Sequence, residues 1–322
     1  MGTSVRGELS NPQLATRNSQ RDFLMTHPPT EPAVHTGIFY HPSFSRRSYL
    51  TTGARLFDFP LAIKSILEDP SYRMVESPRI DEEVILKVHT PELLEEVRRD
   101  PLCSTGWHSA GGVVLAAEMI ARGEIGNAFS FIGAGGHHSG RDFFGGYCCF
   151  NDVALAIHVL RERYGWKRFA ILDTDAHHGD GTRDLLGGDP DVLHVCLCQA
   201  DYQSPDGTKV DVAAMGRYAR GSSGLSEEEV NRAYAETAAR AFEPRVRDFR
   251  PELIFWYFGF DTHQGDYGDI GLSLEAYLLI AKMMRRLADE LCSGRLEVVL
   301  GGGSMSSIAR RLIPPVIQVL GG

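Results

Sequence analysis

The chain has 322 residues, 43% of them hydrophobic, with a formal net charge of -9 and a pI near 5.7. That length and apolar content suffice for one large core, while the negative balance leaves no global positive field to hold a nucleic-acid backbone or an anionic membrane surface. Six cysteines without a C-x-x-C pair fit a reducing compartment, and with no secretory pattern and no apolar run of roughly 18 residues the expectation is a cytoplasmic protein.

Residues 1–34 are polar, contain Pro12, Pro28, Pro29 and Pro32, and lack apolar periodicity, so they are expected to form an arm ahead of a single domain over residues 35–322. From Asp81 onward short apolar runs alternate with helical patterns, the mark of an open, mostly parallel sheet with helices on both faces, an α/β fold. Thr90 followed by Pro91 predicts a capped helix start. A strand over Ala128–Ile132 leads into Gly133-Ala134-Gly135-Gly136-His137-His138, and a strand over Arg168–Leu172 leads into a run from Asp173 through Asp175, His177, His178 and Asp180 to Gly181. A third strand is expected over Val192–Leu197. Ser226 with Glu229 forms a capping box for an outer helix that spans Leu225–Phe242. The strand Leu253–Phe258 precedes Gly259-Phe260-Asp261; Ser273 is positioned to cap a further helix; and Glu297–Leu300 precedes Gly301-Gly302-Gly303. Polar chemistry thus follows four strand ends, and in open α/β sheets ligands bind outside the carboxyl ends of the strands.

Asp175 and His177 lie two apart in an extended or turning segment, so their side chains point the same way and can hold one ion together. Asp261, in a glycine-punctuated loop after another strand with His263 and Asp266 nearby, is the natural third ligand. Two carboxylates and an imidazole leave positions open for water and a substrate carbonyl, which describes a catalytic zinc, with iron(II) equally suited. Asp173 and Asp180 are spare carboxylates that can orient the paired imidazoles, giving two dyads, His137 with Asp173 and His138 with Asp180. Amide hydrolysis is the simplest chemistry for these parts. His178, beside a ligand, reads more simply as packed, and Cys148 and Cys149 as small core residues.

These segments resemble the histone deacetylase and acetylpolyamine amidohydrolase family, of the arginase/deacetylase fold. The likeness rests on Val88-His89-Thr90-Pro91, Gly135-Gly136-His137-His138, Gly146-Tyr147-Cys148-Cys149-Phe150-Asn151-Asp152, Asp173 to Thr182, Gly259-Phe260-Asp261-Thr262 with Gly265-Asp266, and Leu300-Gly301-Gly302-Gly303. It implies Asp175, His177 and Asp261 as zinc ligands, His138 as general base and acid, and His137 as its electrostatic companion. It further implies that Gly146 and Tyr147 line a tunnel for an acyl-lysine stem. A structural potassium ion is implied near Asp173, Asp175 and His177, with backbone around Cys196 and Leu197. Phe144, Met305 and Gly303 are expected to border the substrate.

One departure stands out. The family has a tyrosine just after the glycine run, and here Met305 occupies that place; a thioether cannot donate a hydrogen bond to a developing oxyanion. Tyr267, Ser304 or a change of substrate could account for it, and the loop placement favours Tyr267. The expected substrate is an acylated lysine in a protein or peptide. The alternatives are a small acylated amine such as an acetylpolyamine, with Asp201, Asp206 and Asp211 as an acidic mouth, or an acyl-lysine binding protein with weak catalysis. The sequence does not decide the oligomeric state.

Overall fold

A computed structural model describes residues 1–2, 35–45, 55–218 and 224–322. The predicted arm, beyond Met1 and Gly2, lies outside the described residues. Pro32–Gly322 forms one compact unit. Its strands are Thr36–Tyr40 (β1), Tyr72–Glu76 (β2), Asn127–Ser130 (β3), Phe169–Asp173 (β4), Val192–Cys198 (β5), Tyr202–Gln203 (β6), Lys209–Ala213 (β7), Leu253–Phe258 (β8) and Leu296–Leu300 (β9). They form one sheet in the order β2-β1-β3-β9-β8-β4-β5-β7-β6, parallel throughout except for β6 on β7.

The α-helices are Glu82–Ile85 (α1), Pro91–Arg99 (α2), Gly106–Ala121 (α3), Asp152–Tyr164 (α4), Asp180–Leu186 (α5), Glu227–Phe249 (α6), Leu274–Cys292 (α7) and Ser306–Gly321 (α8). They pack around the sheet, α3 against α4 and α7 between α6 and α8. This cover explains the unbroken apolar runs: every residue of β4, β5, β8 and β9 is buried, as parallel strands covered on two faces require. Trp256, fully buried in β8, donates its indole N–H to Thr174 Oγ1 at 2.9 Å, so no polar atom is stranded there. No helix of the described residues is long and apolar enough to cross a membrane.

Thr90 caps α2 by accepting from Leu93 N, and the predicted capping box at Ser226 and Glu229 is present. Helix α6 runs to Phe249, beyond the predicted end at Phe242. Ser273 stands at the N-cap of α7 but does not cap it. Its hydroxyl accepts instead from Asn231 Nδ2 at 2.7 Å, and its own N–H donates to Asn231 Oδ1 at 2.9 Å, a reciprocal pair that docks α6 on α7. Cys149 is buried as expected but is also disulfide-bonded to Cys103, 46 residues away. That pairing departs from the reduced cysteines read from the sequence. It arises because the turn before α3 and the segment before α4 meet, a juxtaposition that spacing alone does not encode.

Candidate active site

Four strands carry chemistry at their carboxyl ends: β3, β9, β8 and β4, and these are four consecutive neighbours in the sheet. The chain lays down β3, passes to β4, and only later inserts β8 and β9 between them. The resulting crevice is where an open α/β sheet offers a binding site. Residues far apart in sequence are thereby brought within a few ångströms.

Both predicted dyads are present. His137 Nδ1 lies 2.7 Å from Asp173 Oδ2, and His138 Nδ1 lies 2.5 Å from Asp180 Oδ1, with the two imidazoles 4.2 Å apart between ring centres. Burial pulls His137 down, but Asp173, Asp175 and Asp261 outweigh it and push the ring up to about 9. Burial and the neighbouring His137 hold His138 below its ordinary value despite Asp180. Environment thus sets the two rings apart, His137 held toward its charged form and His138 toward its neutral one. Gly146 makes room for this ring: its φ is +52°, and a Cβ there would lie 2.1 Å from His138 Cδ2.

Asp175, His177 and Asp261 each present a ligand atom, all within 4.8 Å of one another. His177 Nδ1 faces two carboxylate oxygens at 3.1 Å each, Asp175 Oδ1 and Asp261 Oδ2. An imidazole nitrogen carries at most one proton, and here it serves Asp175, which leaves the buried Asp261 Oδ2 without a hydrogen-bond donor. An orphaned carboxylate oxygen in the interior is costly. Burial, reinforced by the charge of Asp175, accordingly pushes the Asp261 carboxyl up to about 7. Backbone groups serve the remaining oxygens: Gly302 N–H donates to Asp175 Oδ2 at 2.6 Å, and Ala176 N–H to Asp261 Oδ1 at 3.1 Å. Excess negative charge and one open oxygen are what a divalent cation would satisfy, so the donor set fits such an ion.

Tyr267 is the residue the sequence left open. The residue is exposed, yet its hydroxyl accepts from Gly303 N–H at 3.0 Å. A methyl group placed on Gly302 would lie 2.6 Å from both Tyr267 Oη and Asp175 Oδ2, and 2.7 Å from Asp261 Oδ2. The phenol thus stands at the edge of the carboxylate cluster with its own proton uncommitted. Burial of the hydroxyl, with Asp261 and Asp175 close by, raises it far above the ordinary tyrosine value, so it remains a donor. Ser304 does not compete for the role, since its hydroxyl donates to Asp266 Oδ1 at 2.9 Å. Asp266 also accepts from the N–H groups of Ser304 and Met305, pinning the glycine run. Met305 is 46% exposed and Tyr147 54%, while Phe144 is half-buried against the core and Gly303 is buried. His263 turns away from the cluster, its Nδ1 2.6 Å from Gln264 O and its ring stacked on Tyr277.

Sequence reasoning missed two buried supports. Arg55 Nη1 donates to Gly301 O at 2.6 Å and Gly303 O at 2.9 Å, fixing the turn after β9. Tyr257 stacks on His137 at 4.5 Å and accepts from its N–H at 3.3 Å. Neither has a local motif that would reveal it.

His89 braces the loop from below. Asn151 N–H donates to His89 Nε2 at 3.1 Å, so Nδ1 carries the proton and donates to Gly140 O at 2.8 Å; only the neutral ring makes both bonds. Burial holds it down at about 4. Because the folded value lies below the unfolded one near 6.5, its contribution is complete above pH 6.5 and is lost as pH falls toward 4. The unfolding free energy should therefore drop by up to about 3 kcal/mol over that window. Denaturant titrations at pH 7 and pH 4.5 check this, with a smaller drop expected for His89→Gln; equal drops in both proteins would exclude the assignment.

Comparison with known proteins gives the family. Residues 100–320 match the histone deacetylase domain family. The chain is 28% identical over 295 residues to a probable deacetylase of Archaeoglobus fulgidus, covering 83% of this chain and 81% of the other. To a histone deacetylase-like amidohydrolase of Pseudomonas aeruginosa it is 29% identical, covering 76% and 70%. To polyamine deacetylase HDAC10 of Danio rerio it is 27% identical, covering 74% of this chain and 40% of that protein. A type-2 histone deacetylase 2 of Dictyostelium discoideum is 31% identical, and there the chain spans only 12% of the relative's length.

Proposed function

The chain belongs to the histone deacetylase family, and from that premise we propose that it hydrolyses the acyl-amide of an acylated lysine in a protein or peptide. Asp175, His177 and Asp261 hold one divalent cation in this reading, zinc or iron(II), and a structural potassium ion lies near Asp173, Asp175 and His177, with backbone around Cys196 and Leu197. The observation that carries it is the orphaned Asp261 Oδ2 facing His177 Nδ1, next to a histidine able to take a proton. A cation bound there would polarise the amide carbonyl and make a water more acidic.

The chain's own side chains supply the rest. His138 receives a proton at Nε2 while Asp180 steadies Nδ1, and it returns that proton to the departing amine. His137, paired through Nδ1 with Asp173, is the electrostatic companion of His138. Tyr267 Oη, relieved of its acceptor role by Gly303 N–H, donates to the oxygen on which negative charge develops, in place of the donor that Met305 lacks. Tyr147, Gly146 and Met305 border the acyl-lysine stem, with Gly303 beneath; Phe144 serves them from the core.

A small acylated amine is the second reading, and an acyl-lysine binding protein the third. The acidic loop lends the second little support, because its carboxylates are committed. Asp201 accepts from Ala213 N–H, Asp206 from Ser204 and Thr208, and Asp211 pairs with Arg183. Both dyads being intact disfavours a pure binder, which has no use for a proton relay. The test is turnover of the zinc-loaded protein on lysine peptides bearing acetyl, longer acyl and trifluoroacetyl groups, against acetylated diamines. Peptide turnover at least tenfold above diamine turnover is expected. Diamine preference would overturn the substrate class, and peptide binding without any turnover would point to the binding protein.

A further inference from the structure

We propose that His178, Cys196, Cys198 and Asp211 form a second metal site, chemically distinct from the carboxylate-rich one and suited to a thiophilic divalent cation such as zinc(II). One donor atom from each lies within 4.8 Å of all the others. His178 Nδ1 is 3.5 Å from Cys198 Sγ and 3.6 Å from Asp211 Oδ1. With zinc–sulfur bonds of about 2.3 Å and zinc–nitrogen bonds of about 2.0 Å, tetrahedral ligands stand roughly 3.3–3.8 Å apart, so small side-chain rotations would close the set.

The sheet assembles these four residues. Cys196 and Cys198 alternate by two on β5, so both side chains leave the same face. Asp211 pairs with Cys196 on the adjacent strand β7 and therefore shares that face. On the other side of β5, Asp173 of β4 pairs with Cys196, and the chain continuing from β4 delivers His178. None of the four belongs to the Asp175–His177–Asp261 cluster. Cys196 also lies near Asp173 and His194, but that grouping offers three donors and a single thiol, whereas the one with His178, Cys198 and Asp211 offers four donors, two of them thiols.

Donor chemistry selects the ion. Two thiolates and an imidazole favour zinc over magnesium or calcium, which take oxygen ligands. Charge also closes: two thiolates and one carboxylate are balanced by a divalent cation together with Arg183, whose Nη2 holds Asp211 Oδ1 at 2.7 Å. A neutral group is what a buried location demands, and both thiols are buried with the Asp211 side chain only 10% exposed. Four protein ligands leave no open position, so this is a structural staple. It would tie the segment bearing His177 to β5 and β7.

The deciding experiment titrates the full chain, stripped by chelation and kept reduced without added thiol, with cobalt(II) while recording near-ultraviolet spectra. Two equivalents are expected, one of them with an intense thiolate-to-cobalt charge-transfer band that the carboxylate-rich site cannot give. His177→Ala should keep the band. Cys198→Ser and His178→Ala should each lose it or weaken it at least tenfold, with stoichiometry falling from two to one; the His178 side chain is one-third exposed, so its replacement spares the core. A saturated wild-type protein without the band, or a band unchanged in Cys198→Ser, overturns the site.

Discussion

Replacing His138 with alanine is expected to lower turnover on an acyl-lysine peptide by roughly 10²–10⁴-fold, the range typical for loss of a positioned acid–base group. The ring has one nitrogen engaged by Asp180 and the other free, it sits below its ordinary pKa, and Gly146 is shaped around it. His137 cannot substitute in the same way, since its Nδ1 is engaged by the buried Asp173 and its ring is stacked on Tyr257. Binding of the divalent ion should be unchanged, which separates loss of the proton acceptor from loss of the metal. Asp180→Asn should produce a milder decrease of about 10–100-fold, as loss of an orienting partner does. Single-turnover rates with metal content measured on the same samples check both, and wild-type rates in His138→Ala would remove this histidine from the chemistry.

Tyr267→Phe is expected to cost about 2.7–4 kcal/mol of transition-state stabilisation, a loss of 10²–10³-fold in kcat, if its hydroxyl is the oxyanion donor. Only one atom is removed, and the ring keeps its tilted contact with His177 at 5.6 Å. Because that donor acts mainly as charge develops, KM should change little. The deficit should shrink on a trifluoroacetyl substrate, whose electron-poor carbonyl needs less help. Met305→Tyr in the Tyr267→Phe background should recover activity if position 305 reaches the same oxygen. Unchanged turnover in Tyr267→Phe would return this residue to an ordinary place on the rim.

The strands that build the site were legible because burial on two faces makes them continuous apolar runs: Leu253–Phe258 was read with its observed ends, and the other four within two residues. The flanking strands were not. Thr36–Tyr40 is a buried strand of only five residues with a glycine inside it, adjoining a proline-rich segment, and Tyr72–Glu76 lies at the sheet edge with exposed side chains. Lys209–Ala213 alternates polar and apolar residues over one short stretch. The dyads could be read because each histidine and carboxylate sits at a strand end, where the sheet decides what meets. Arg55 and Tyr257 could not, since their roles arise from contacts across 246 and 120 residues. Ser273 shows the converse: local sequence suggested a cap, but a tertiary partner, Asn231, took the hydroxyl.

The proposed hydrolysis depends on a divalent cation seated among Asp175, His177 and Asp261. The most direct measurement is turnover on an acyl-lysine peptide after chelation and after stepwise return of zinc, for the wild-type chain and for Asp261→Ala. Activity should vanish on chelation, return with zinc in the wild type, and fail to return in Asp261→Ala at any zinc concentration. A stripped protein that still turns over at full rate, or an Asp261→Ala variant as active as the wild type, would contradict it.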